Sequence, residues 1–145
     1  MLKEKDYCDY DTCVALREVG CRIQTEWYIH QPSYERGSCC LCFGIPRETS
    51  VLDECDYIPR LSLYEAQKWL REEKNTIVEA NFNLMHEGQP RFSWRVLYNL
   101  TQHKGAYYTF DSVKSKEDCD SFEEAFSEGI LTAVEILKEN ETIHE

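Results

Sequence analysis

Positive charge is what this chain has least of. Sixteen Lys and Arg stand against 27 Asp and Glu in 145 residues, a formal net charge of -11. Binding nucleic acid without sequence preference, or an anionic membrane, requires a basic face, so this balance argues against both. A local basic patch stays possible, and a basic protein partner suits the charge. No stretch approaches the roughly 20 apolar residues of a membrane-spanning helix. Residues 1–10, MLKEKDYCDY, are charged and contain no apolar run, so no export signal is expected. Without one, the eight cysteines read as reduced thiols of a cytoplasmic protein and not as a disulfide frame. Asn99-Leu100-Thr101 and Asn140-Glu141-Thr142 match the glycosylation pattern, which a cytoplasmic chain would leave unused.

Catalytic signatures are missing too. There is no G-x-S-x-G, no H-E-x-x-H and no phosphate-binding glycine loop. His30, His86, His103 and His144 fall on loops and strand ends, away from any Ser or Cys nucleophile motif. Glu72-Glu73 and Glu123-Glu124 sit on helix surfaces, where acids serve solubility; general acid/base work needs a perturbed carboxyl in a cleft. No enzyme and no cofactor is expected. Cys39-Cys40-Leu41-Cys42 has a C-x-x-C spacing that can put two thiolates on one metal, with Cys8 and Cys13, or His30, completing a tetrahedral set. A second C-x-x-C is absent, however. Cys39 and Cys42 also lie in an apparent strand, not at a helix N-terminus that would stabilise a thiolate. Buried inert thiols are the expectation, and no metal.

What is present is the material of a core. Hydrophobic residues make up 42% and aromatics 12%, over a length usual for one domain. The pattern predicts a single α+β domain over 1–145: an N-terminal helix and hairpin portion at 1–60, a helix-meander-helix core at 61–138, and a frayed tail at 139–145.

Its centre is the stretch Ser62 to Phe82. Ser62 with Glu65 forms a capping box, and Leu61 with Ala66 a hydrophobic staple. Leu63, Ala66, Trp69 and Leu70 then give an apolar stripe, with Asn75 as the stop. From Thr76 the period becomes two: Thr76, Val78, Ala80 and Phe82 on one side, Ile77, Glu79, Asn81 and Asn83 on the other. Earlier, Asp11 or Thr12 caps a short helix that Gly20 ends. Arg22–His30 reads as a strand, Gln31–Ser38 as a turn, Cys39–Ile45 as the returning strand, and Pro46–Pro59 as a surface connection. Beyond the turn at Gly88 and Pro90, Arg91–Leu100 alternates, and Ala106–Asp111 gives a third strand. Val113–Asp120 reads as a charged connection. Ser121 and Glu124 form a second capping box before the stripe Phe122, Ala125, Phe126, Ile130, Ala133, Val134 and Leu137. Gly129 on that stripe allows close approach to the sheet. The whole is a two-layer sandwich, an antiparallel meander packed by two helices.

If helices cover one face of the meander, the other carries Glu79, Asn81, Asn83, Arg91, Arg95, Tyr107 and Thr109. Of these, Asn81, Asn83, Arg91, Arg95 and Tyr107 are the candidate ligand-binding residues, because two guanidiniums, two amides and a phenol can recognise a small anion or part of a protein partner. The alternatives are an ordinary solvated face, or one filled by Trp27 and Tyr28 of the N-terminal hairpin.

Three stretches carry a resemblance: Tyr7-Cys8-Asp9-Tyr10-Asp11-Thr12-Cys13-Val14-Ala15-Leu16-Arg17-Glu18, Leu63-Tyr64-Glu65-Ala66-Gln67-Lys68-Trp69-Leu70-Arg71-Glu72, and Ser121-Phe122-Glu123-Glu124-Ala125 through Ile130. Across them the chain resembles small uncharacterised proteins of gut Bacteroidales, their phages and mobile elements. The resemblance implies a bacterial, phage or mobile-element setting and supplies no mechanism. The strand-then-helix ending is also loosely similar to small antitoxins of the HicB type. The function expected is a non-catalytic module binding a host or phage protein, with a small-anion binder on the Arg91 and Arg95 face, or a HicB-like partner-binding protein, as alternatives. Oligomeric state stays open, since an edge strand can pair with itself or be kept from doing so by charge.

Overall fold

A computed structural model describes residues 4–25, 27–30, 40–43, 57–103 and 107–143. The architecture is α+β, and the chain divides into two compact units, Met1–Ser62 and Leu63–Glu145.

In the first unit a 3-10 turn, Glu4–Asp6, precedes helix α1, Tyr10–Glu18. The cap is Asp9, not Asp11 or Thr12: its carboxylate accepts the Thr12 N–H at 2.8 Å. The cap must stand just outside the helix, and the first turn already includes Asp11 and Thr12. Gly20 ends the helix as expected, at φ 103. Gly20 N–H returns to the Arg17 carbonyl and Cys21 N–H to that of Leu16, the paired bonds of a Schellman motif. Strands β1 (Trp27–His30), β2 (Cys40–Phe43) and β3 (Tyr57–Pro59) form an antiparallel sheet in the order β2-β1-β3. Two expectations change here. The strand from Arg22 begins only at Trp27, Arg22 itself being tied to the end of α1 by bonds to the Arg17 and Cys21 carbonyls. The connection Pro46–Pro59 also ends in a strand, for Ile58 pairs Ile29 and is buried. The rest of that connection lies outside the described residues.

In the second unit helix α2, Leu63–Lys74, buries Leu63, Ala66 and Leu70. Asn75 stops it in the left-handed region, φ 49, a conformation asparagine tolerates better than most residues. Thr76 N–H closes onto the Leu70 carbonyl. Strands β4 (Ile77–His86), β5 (Gln89–His103) and β6 (Tyr107–Cys119) make the meander, in sequence order and antiparallel. Glu87 and Gly88 both have positive φ between β4 and β5, the signature of the two-residue hairpin turn whose twist matches its strands. Helix α3, Phe122–Ile143, follows. Ser121 Oγ accepts the Glu124 N–H at 3.1 Å, while the Glu124 carboxylate reaches back to Asp120 N–H rather than to Ser121.

Most of the expected core is buried, Phe82 and Phe122 excepted. Val78, Trp94 and Val96 from the sheet, Leu70 from α2, and Ala125, Phe126, Ile130, Ala133 and Val134 from α3 are buried. Gln67 of α2 donates to the Val78 carbonyl at 2.6 Å, fastening that helix to β4.

Two boundaries and one face differ from expectation. The stretch Val113–Asp120 is not a loose connection: β6 runs on to Cys119, pairing Val113 with Leu97 and Lys116 with Trp94. An outer strand meets water along much of its length, so its backbone ladder tolerates a polar sequence. The tail from 139 is helical to Ile143, since no proline or glycine interrupts it. Leu97, on the side of Arg95, is buried, so the second sheet face is not uniformly polar.

Candidate binding surface

Register places Glu79, Asn81, Arg91 and Arg95 on the sheet side away from Val78, Trp94 and Val96. The guanidiniums there already have partners. Arg95 donates twice to Glu79, directly opposite on β4, at 2.9 and 2.5 Å. Arg91 bonds Asp118 at 2.6 Å and also Asp120. These hydrogen bonds, Asp118 first, raise the Arg91 pKa above its ordinary value. Asn83, the extra residue of a bulge between Phe82 and Leu84, donates to the Glu117 carbonyl at 2.7 Å. Asn81 is exposed. Tyr107, known by its backbone, pairs His103 at the opposite end of β5 from Arg91. Arg91 and His103 stand twelve strand steps apart, roughly 40 Å at the usual rise. The five candidates therefore do not converge, and an anion at Arg91 or Arg95 would have to displace carboxylates.

The thiols divide in the same way. Cys8 and Cys13 flank the start of α1 at the N′ and N4 positions, the pair that meets in a hydrophobic staple. Both are buried, as is Cys21. The hydrogen bond with Cys13, followed by burial, raises the Cys8 pKa; the same bond lowers that of Cys13. Cys42 lies in β2, opposite Tyr28, and Cys39 is outside the described residues. Among the described residues no group of His, Cys, Asp or Glu is arranged to hold a metal.

On the helix side of the sheet one carboxylate gathers three donors, and no sequence pattern announced it. Glu128 of α3 accepts from Trp94 Nε1 at 3.0 Å, from Lys116 Nζ at 3.3 Å, and from Cys119 Sγ at 3.5 Å. Partial burial alone pushes this carboxyl up; the bonds from Trp94, Lys116 and Cys119 outweigh it and hold the pKa below the ordinary value. Cys119 moves the opposite way, pushed up to about 11 by burial first and then by the Glu128 charge. A thiol so poised is protonated at neutral pH, which is the reverse of a nucleophile's requirement. The cluster pins α3 to the sheet.

The remaining feature is apolar. Phe82, Phe92, Phe122 and Phe126 form an unbroken edge-to-face series, with centroids 6.0, 6.4 and 5.7 Å apart. Its inner end, Phe126, is buried, but Phe122 is 40% and Phe82 56% exposed. Met85, 57% exposed, pairs Pro90 on the same sheet side. The cause is a mismatch of lengths. Helix α3 begins at Phe122, level with Phe92, while the β4–β5 hairpin continues to Gly88. Strand residues past Phe92 therefore extend beyond the first turn of α3. Strand alternation puts Phe82, and the helical stripe puts Phe122, on the core-facing side; their places near the ends of hairpin and helix leave both exposed.

Compared with known proteins, the chain matches no family model, no curated protein and no solved structure. Among the described residues no helix is long and apolar enough to cross a membrane.

Proposed function

We propose that the chain is a non-catalytic protein-binding module, carried by a phage or mobile element and acting in the bacterial cytoplasm on a host protein. The observation that carries this reading is the continuous ring series that includes exposed Phe82 and Phe122, with exposed Met85 on the same sheet side as Phe82. Large apolar side chains grouped at a surface lose free energy when a partner covers them, and such groups mark interaction sites more often than singly scattered ones do. The setting comes from the resemblance around Tyr64-Glu65-Ala66-Gln67-Lys68-Trp69-Leu70. A small-anion function is less well supported, because Glu79, Asp118 and Asp120 already neutralise the two arginines it would use.

The test is affinity capture from Bacteroidales lysates at several salt concentrations, followed by reconstitution with the purified candidate. The expected result is a saturable complex of fixed stoichiometry. Recovery of no protein that reconstitutes would defeat the reading.

A further inference from the structure

We infer that the partner presents a basic segment with apolar anchors, and that this segment seats on the exposed end of the aromatic series at Phe82, Met85 and Phe122. The inference rests on the reading of the chain as a binding module, and it adds the surface and the chemistry of the occupant.

Charge identifies the occupant. In residues 117–124, Glu-Asp-Cys-Asp-Ser-Phe-Glu-Glu, Glu123 and Glu124 follow Phe122 in the first turn of α3 and Glu117 precedes it near the end of β6, while Asp118 and Asp120 turn to the opposite sheet side. Across the hairpin, Glu87 occupies the turn two residues from Met85. Arg91 answers Asp118 and Asp120, and no other Lys or Arg lies in 82–92 or 117–124. The apolar surface is thus rimmed by an excess of carboxylates. Rim charges steer encounter and select among partners, while central rings supply most of the binding energy. A second copy of this chain is a poor occupant, since like-charged rims would face one another across the contact. An acidic partner is excluded on the same ground. Lysine or arginine flanking Leu, Phe or Trp fits both parts of the surface.

The experiment pans a yeast-displayed library of random linear peptides against the full chain. A parallel arm uses the Phe82→Ser/Phe122→Ser variant, and sedimentation runs on both proteins. Enrichment of peptides combining Lys or Arg with large apolar residues is expected. Their binding should weaken about tenfold or more in the double-serine variant, and should also weaken as salt is raised. A second variant, Glu87→Lys/Glu117→Lys, reverses the rim without touching a ring and should weaken the same peptides even if the serine variant folds poorly. Enriched peptides lacking basic residues, or no enrichment at all, overturn the inference. Peptides that bind wild type and both variants equally also overturn it, while leaving the binding-module reading standing on another surface. A wild-type dimer that the double-serine variant converts to monomer assigns the surface to a second copy, and again the inference fails.

Discussion

Gly129 of α3 lies so close to Val78 of β4 that a β-carbon on it would stand 2.8 Å from Val78 Cγ1 and 3.4 Å from Trp94 Cβ. Val78 is fully buried and cannot swing aside. The contact sets how closely helix and sheet approach.

Gly129→Ala should therefore destabilise the protein, although alanine is the better helix former by about 1 kcal/mol. Forcing a methyl group into a packed contact typically costs about 1–3 kcal/mol. A urea melt should show a net loss of stability; a gain would mean that the helix can move outward freely.

Glu128 should make stability fall in acid. Its folded pKa lies below its ordinary value, so its contribution is complete above the unfolded carboxyl pKa of about 4.3 and disappears as pH drops through the folded value. Glu128→Gln should cost about 1 kcal/mol at pH 7, a modest figure because the side chain is partly solvated. The two melting temperatures should converge as pH falls from the ordinary carboxyl range through the folded value. A constant gap across that range would rule out Glu128 as the titrating group.

Cys8, Cys13, Cys21 and Cys119 should resist alkylation in the folded protein. All four are buried, and Cys119 is in addition held protonated, its pKa pushed up to about 11. Iodoacetamide labelling mapped by mass spectrometry at pH 7.5 should find these four unmodified in buffer and modified in denaturant. Fast native labelling of Cys119 would contradict its packing against Glu128.

Nucleotides and small anions should leave the melting temperature unchanged, because Arg91 and Arg95 are held by carboxylates. Arg95→Ala should change stability by less than about 1 kcal/mol, as is usual for solvent-exposed pairs. A concentration-dependent rise with any anion, abolished by Arg95→Ala, would restore the sheet face as a ligand site.

Ser121 and Glu124, Asn75 and Gly20 were legible in the sequence, because caps and stops depend on groups within a few residues of one another. So were the alternation that buries Val78, Trp94 and Val96, and the stripe that buries Ala125, Ile130 and Val134. The partners of Arg91 were not: Asp118 and Asp120 lie 27 and 29 residues away, brought there by strand register. Nor was the strand through Val113–Cys119, whose polar sequence is stabilised by pairing with β5 rather than by its own pattern.

By itself, then, the sequence determined helices α1 to α3, the turn at Gly88 and the inward positions of Val78, Trp94 and Val96, since short-range hydrogen bonding and periodic burial decide those. The tertiary structure alone decided where α3 begins relative to the β4–β5 hairpin. That offset leaves Phe82, Met85 and Phe122 in solvent, although strand alternation puts Phe82, and the helical stripe Phe122, on the core-facing side. It is fixed by the close contact of Gly129 with Val78 and Trp94, between residues more than 30 positions apart, which no local pattern encodes.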